Sequence, residues 1–490
     1  MLSGLYTGSL LCGHVPSRWR VAWVRMLPKP GRGLTSPEDF RPIALTSCLG
    51  KLLERLLARR LLLFCTDRCL LPPEQSGFRP GRDCLEQVVL LAQRSAQGLN
   101  GGLATAVASL DVSRAYDSVW HAGLLFRCRE ALPDATCRWI AGFLHSRTAA
   151  ILEDGFLSAE FPVPSGVPQG SPLSPLLYVF FTASMPLPRG VQLGATAYAD
   201  DVALWSTAAT PASAWDTLRP HLHGLVQWGC RWRLKFSPAK TQAAFFSRRL
   251  GNWPPEALAC PSFSDTELPW ARDVRILGVR LDRRLRLLRH AQEIARRFAP
   301  RVLELRRLMD TFRGVPSWVG VLLYKSLVRS ALLYAAPVLV LLCNSGWRVL
   351  ERLERRALRA ALHARMVTPI AELYQRARLK PLRQESHRLA GLFLARHALR
   401  ANSHLLSSFA PEVDQRADIV RFEEPLDRLL ACVAPRHRRR VVDRIHTAAG
   451  RFVSLAVSSG RPSRGLSHPP TFWGVSPWRP LPVTLDAAPD

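Results

Sequence analysis

The stretch Thr196-Ala-Tyr-Ala-Asp-Asp-Val202 decides the reading of this chain. Apolar residues flank it from Ala195 to Trp205, so the segment reads as a β-hairpin whose tight turn presents two acidic side chains, Asp200 and Asp201. Upstream, Ser109-Leu-Asp-Val-Ser-Arg-Ala-Tyr-Asp-Ser-Val119 carries Asp111 directly after Thr105–Leu110, a short, apolar, partly β-branched run that suits a buried strand. Between the two lies Gly166-Val-Pro-Gln-Gly-Ser-Pro-Leu-Ser-Pro-Leu-Leu-Tyr178, a glycine- and proline-punctuated loop that opens a helix, with Ser174-Pro175 as its expected cap and first turn. If hairpin and strand are neighbours, Asp111 and Asp200 can bridge two Mg²⁺ ions roughly 3.5–4 Å apart, the arrangement that nucleotidyl transfer requires, with Asp201 supporting the site either as a ligand or through its charge. Magnesium suits ligand sets of a few carboxylates completed by substrate phosphates, and Mn²⁺ could take its place. A lone Tyr-Ala-Asp-Asp could arise by chance; its pairing with Asp111 and the intervening loop makes the signal specific.

Composition bounds the partners. At 490 residues the chain has room for two or three domains with real cores, and 48% hydrophobic content excludes a disordered tail. A formal charge of +29 favours a polyanionic partner. Nearly all of that charge is arginine, so a GC-rich genome accounts for part of the excess. Eleven cysteines show no zinc or disulfide framework: Cys65 and Cys69 stand close, but no second Cys/His pair follows at zinc-finger spacing. Scattered free thiols fit a reducing compartment. No signal peptide is visible, and Ser330–Cys343 is strongly apolar but too short to span a bilayer, so a buried helix is expected there. The expectation is an intracellular protein, with no membrane partner.

Residues 1–285 alternate short apolar runs with helical patterns, as an α+β domain does. The helix after Thr46-Ser47 carries leucines at 49, 52, 53, 56 and 57. Residues 286–375 change to helix after helix: Phe298, Val302, Leu305, Met309 and Phe312 form one apolar stripe with arginines between, and Leu350, Leu353, Ala357 and Ala361 form another. Such a basic bundle suits either a duplex-backbone cradle or a plain solvated face. Residues 376–458 read as a weaker helical extension containing the basic cluster Arg436-His-Arg-Arg-Arg440, and 459–490 as a Pro/Ser/Trp-rich linker or tail.

The order of these segments resembles the reverse transcriptase domain of non-long-terminal-repeat retrotransposons, the LINE and Jockey-like kind. The likeness runs from about Trp19 to Pro381 and takes in Lys29-Pro-Gly-Arg32, Asp39-Phe-Arg-Pro-Ile-Ala-Leu-Thr46, Gln75-Ser-Gly-Phe-Arg-Pro-Gly-Arg82, Lys240-Thr241 and Leu277-Gly-Val-Arg-Leu-Asp282. It implies a right-hand polymerase: fingers and palm in 1–285 built on an antiparallel sheet plus helices, then an all-helical thumb in 286–375. The implied activity is an RNA-directed DNA polymerase using an RNA template, a DNA primer or target, and dNTPs. In that family Asp111, Asp200 and Asp201 would carry the metals. Arg41, with Lys29 and Arg79 behind it, would grip the incoming triphosphate, although Arg79 could equally anchor a Gly-rich turn. Tyr116 would act as the sugar gate against a 2′-hydroxyl, Gln169 would contact nucleotide and template, and Lys240 would bind or protonate the leaving pyrophosphate. The implied location is the nucleus and/or a cytoplasmic ribonucleoprotein.

Two departures stand out. Ser237 replaces the asparagine usual three residues before the Lys-Thr pair, which questions the local turn. There is also no room for an endonuclease before residues 1–25, which suggests a fragment of a larger polyprotein. Other palm polymerases (RNA-directed RNA polymerase, telomerase or group II intron-like) and a decayed, catalytically inactive RNA-binding remnant stay open, as does the oligomeric state.

Overall fold

Both faces of the run Ala104-Thr-Ala-Val-Ala-Ser-Leu-Asp111 find apolar cover, which is why it forms a central strand. The computed structural model describes residues 1–398 except 30, 32, 249–261, 264–265, 268–269 and 310–313. The Arg436–Arg440 cluster and the 459–490 tail lie outside the described residues, as do most of the 376–458 extension, Arg32 and Phe312. The central strand pairs antiparallel with Asp201–Ala208 on one side and Gln242–Phe246 on the other, while Leu193–Tyr198 closes the far side of Asp201–Ala208.

Alternation sorts the strand's side chains. Val107 joins Ala203, Trp205 and Phe246 under the Cys84–Asn100 helix. Ala106, Ala108 and Leu110 face the opposite way, with Val202, Leu204 and Phe245, against the helices His121–Ala131, Asp134–Leu144, Ser174–Phe181 and Pro211–Trp232. The sheet end that carries Asp111 is thus held by a core on each side.

A second sheet joins Phe40–Leu45 antiparallel to Val21–Pro28, and Val21–Pro28 parallel to Thr148–Glu153, with two short strands extending it. The Cys48–Asp67 helix starts where Ser47 Oγ accepts from Gly50 N at 3.4 Å. Its leucines divide: Leu53, Leu57 and Leu61 are buried at four-residue steps, whereas Leu49, Leu52 and Leu56 face solvent.

A hairpin of Asp273–Ile276 and Val279–Asp282, turning at Leu277-Gly278, leads into the helices Leu288–Leu308, Ser317–Tyr324, Asn344–Ala361, Ile370–Ala377 and Leu382–Ala398. Phe298, Leu305, Met309, Leu350, Leu353, Ala357 and Ala361 are buried as their spacing predicts, and they share one core with Val107 and Trp205 of the sheet. A carboxylate sits inside this core: Glu354 accepts from Tyr324 Oη (2.8 Å), Arg329 Nη1 (2.8 Å) and Tyr374 Oη (2.6 Å). A buried charge persists only when paired in this way.

The expected single helix over Ser330–Cys343 is a correction. Ser330–Leu332 follows a π-helical turn at Lys325–Arg329, the chain turns, and a new helix runs Ala336–Leu339. Pro337 fits the break: it stands in the first turn of the new helix, where its missing N–H would have no intrahelical partner anyway. Burial is as expected, with Leu332, Val338 and Leu339 inside. No helix among the described residues is long and apolar enough to cross a membrane. The architecture is mixed α+β.

Candidate active site

Strand register gathers the three aspartates. Asp111 stands directly opposite Asp201, Tyr198 pairs with Asp201 across the hairpin, and Ala199-Asp200 forms the two-residue turn. Ala199 adopts φ +56°, the left-handed region such turns demand. All three carboxylates therefore sit at one end of the central sheet, as the sequence predicts.

Their charge is poorly tolerated there. Burial pushes the Asp200 carboxyl above its ordinary value, and the neighbouring Asp111 carboxylate adds to the rise. Asp201, open to solvent at its rim, is likewise raised by desolvation and then by Asp200 and Asp111. Lys240 opposes both shifts, its Nζ lying 2.6 Å from Asp111 Oδ2. Among the described residues, no three His, Cys, Asp or Glu side chains close into a ready cage for a cation. The donor set nevertheless fits a hard divalent ion. It consists of carboxylate oxygens only, with excess negative charge that one half-exposed ammonium offsets in part.

Lys240 reaches Asp111 because its loop is stitched to the strand end. Ser113 N donates to Lys235 O (2.8 Å) and Ser237 N to Asp111 O (2.9 Å). Ser237 supports the turn without asparagine: its carbonyl accepts from Lys240 N, Thr241 N and Thr241 Oγ1.

Tyr116 lies half-buried beside the acidic cluster, its ring stacked on Tyr178 at 5.5 Å between centroids and 12° between planes. Burial and then Asp200 push the Tyr116 hydroxyl's pKa well above normal. Tyr178 is fully buried, and its hydroxyl finds no partner among the described residues. Its part in the site went unnoticed in the sequence, although it is the last residue of the quoted loop; apolar neighbours disguised it as core. Gln169 presents a half-exposed side chain, and its carbonyl accepts from Ala44 N at 2.7 Å. Next to it Gly170 adopts φ +138°, and a Cβ there would lie 2.4 Å from Ala44 O, so only glycine permits this contact. The helix cap differs from expectation. Ser171 Oγ, not Ser174, accepts from Leu173 N (3.1 Å) and Ser174 N (3.3 Å) while donating to the buried Glu54. Ser174 is itself buried inside the first turn, where its hydroxyl cannot cap.

The basic candidates divide. Arg41 is exposed on the strand that carries Ala44, close in sequence to the Gln169 contact. Lys29 Nζ donates to Glu38 O at 2.5 Å, and its charge lowers the pKa of Asp117, which burial raises. Arg79 Nη1 donates to Pro72 O (2.8 Å) and Gln75 O (3.2 Å), the anchoring geometry.

Comparison with known proteins identifies the family. The model of the reverse transcriptase (RNA-dependent DNA polymerase) family matches residues 27–281. The "Probable RNA-directed DNA polymerase from transposon BS" of Drosophila melanogaster is 32% identical over 365 residues, covering 73% of this chain and 40% of that protein. The "RNA-directed DNA polymerase from mobile element jockey" of the same organism is 28% identical over 411 residues, covering 82% of this chain and 44% of that protein. The chain thus spans less than half the length of these relatives. Apo telomerase from Candida Tropicalis aligns over 94% of this chain and 72% of its own with a TM-score of 0.41 and 10% identity, too low a likeness to carry any argument. The matched residues include the Asp111 strand, the Gly166–Tyr178 loop and the Asp200-Asp201 hairpin, and the chain belongs to the reverse transcriptase family, among the non-long-terminal-repeat retrotransposons of the jockey kind.

Proposed function

We propose that this chain is the RNA-directed DNA polymerase of a non-long-terminal-repeat retrotransposon, joining dNTPs to a primer 3′-hydroxyl along an RNA template. The family generally uses divalent metal ions and an RNA template. The observation that carries the reading is the register: Asp111 opposite Asp201, with Asp200 on the adjoining two-residue turn.

In this reading Asp111, Asp200 and Asp201 would hold Mg²⁺, two ions in our proposal, with Mn²⁺ as a substitute. Bound metal would supply Lewis acidity for the 3′-hydroxyl and neutralise charge on the phosphates. The protein's own groups do the rest. Lys240 would bind the departing pyrophosphate or give it a proton, a role supported by its 2.6 Å contact with Asp111. The Tyr116 ring, backed by Tyr178, would offer a flat wall to deoxyribose against which a 2′-hydroxyl would clash. Gln169 would contact nucleotide and template from a loop held against Ala44, and Arg41 with Lys29 would meet the triphosphate, for which an arginine fork is suited. We assign Arg79 to holding the Pro72–Gln75 segment. Partners are the RNA template and a DNA primer or target, and the place of work is the nucleus and/or a cytoplasmic ribonucleoprotein.

Primer extension on RNA with dNTPs and Mg²⁺ tests the reading. Asp200→Asn and Asp111→Asn should each lower extension by roughly a hundredfold or more, with template binding kept. A variant that extends primers normally removes the metal assignment. A parent chain that binds RNA and melts cooperatively yet never extends a primer is an inactive remnant.

A further inference from the structure

The outer edge of the Leu193–Tyr198 strand is covered by a segment far away in sequence. Gln75 forms a parallel bridge with Ala197, where Ser76 N donates to Ala197 O and Ala197 N to Glu74 O, both at 2.9 Å. The Gln75 side chain, 4% exposed, then reaches one residue further along the hairpin. Its Oε1 accepts from Ala199 N at 2.8 Å and from Gly77 N at 2.8 Å, while its Nε2 donates to Ala199 O at 3.2 Å. Both polar groups of the Ala199 backbone end on one amide.

Ala199 is the residue whose φ of +56° swings the chain into Asp200. A side chain in that region is uncommon and strained, and it persists only where its surroundings over-determine it. The amide is suited to the task because it donates and accepts at once; a carboxylate would repel the Ala199 carbonyl and an ammonium could not receive the N–H. The partners also fix the amide's orientation, since two N–H groups face one of its atoms and a carbonyl the other. Gly77 makes the approach possible, as a Cβ there would lie 2.4 Å from Ala199 N. Behind it, Arg79 holds the Gln75 carbonyl and Gln87 Nε2 donates to Ser76 Oγ.

We infer that Gln75 is a positioning residue for the metal-carrying turn: through Ala199 it fixes where Asp200 stands relative to Asp111 before any substrate arrives. The inference rests on the polymerase reading above. Three measurements on the full chain test it: hydrogen exchange at the Ala199 amide, the dissociation constant for Mn²⁺ alone, and kcat and KM in primer extension. In Gln75→Ala the amide should exchange at least tenfold faster, Mn²⁺ should bind roughly tenfold more weakly, and kcat should fall roughly tenfold with the KM for primer–template within twofold. Gln75→Met, which keeps the bulk and loses the hydrogen bonds, should repeat this pattern if the alanine variant does not fold. A cooperatively melting variant with Mn²⁺ affinity and kcat within twofold of the parent overturns the inference, even if the amide exchanges faster. A parent chain with no Mn²⁺ binding that depends on Asp200 overturns the polymerase reading itself.

Discussion

The Tyr116–Tyr178 stack is where the proposed sugar gate meets its support. Tyr116 alone is an aromatic beside an aspartate; with Tyr178 against it at 12° its ring plane is set, and a set plane can discriminate between sugars. Tyr116→Val should lower the preference for a deoxynucleotide over its ribonucleotide by roughly tenfold to a hundredfold, within the range that one pocket contact provides. Measuring kcat/KM for dCTP and CTP on one primer and RNA template checks this, and an unchanged ratio takes Tyr116 out of the sugar site. Side-chain identity was legible in the sequence at this scale, and partnership was not. Asp111, Asp200 and Asp201 could be named from their motifs, because a strand end and a tight turn present whatever residues they carry. Lys240's contact with Asp111 could not be named from motifs, because the two lie 129 residues apart. Arg79's two carbonyl partners, Pro72 and Gln75, were likewise not legible.

Secondary-structure elements were read well where the apolar stripe is periodic, even across Pro300 inside the Leu288–Leu308 helix, and badly over Ser330–Cys343, where the run is apolar on every side and gives no period to follow. The junction between the Val279–Asp282 strand and the Leu288–Leu308 helix carries its own titration. His290 is 3% exposed; its Nδ1 accepts from Arg280 N at 3.4 Å and its Nε2 has no partner among the described residues. Burial pushes its pKa down to about 4, with Arg275 and Arg280 lowering it and Glu293 opposing. The folded protein therefore keeps His290 neutral, while the unfolded chain takes up a proton near pH 6.5. Stability from this residue is intact above pH 6.5 and declines as pH falls toward 4, by about 2 kcal/mol at pH 5. Urea unfolding at pH 7 and pH 5 should show that difference shrink by about this amount in His290→Gln. An equal pH slope in the variant would show that the site does not hold His290 neutral.

For the whole molecule, the charge of +29 meets a surface of outward arginines. Arg296, Arg297, Arg301, Arg306 and Arg307 are all exposed on one helix, and Arg352 and Arg356 on another that packs against it. If these meet phosphate, RNA affinity should fall linearly in log–log form with salt, by roughly a hundredfold or more between 50 and 200 mM. Filter binding across that range is the check. A change under about threefold would mean that the arginines form only a solvated face.

The sequence by itself determined the α+β class, the acidic hairpin, the central strand and the apolar stripes of the helices, because turn chemistry and periodicity are local properties. Only the tertiary structure decided that Gln75 grips Ala199, that Glu54 meets Ser171, that Tyr178 backs Tyr116 and that Glu354 gathers its four helical-region partners. Each of these joins residues distant in the chain, and burial supplies the reason. Most polar groups removed from water find a partner, and rings find a face to stack on, wherever the packing of the two cores brings one, and no local pattern in the sequence encodes where that is.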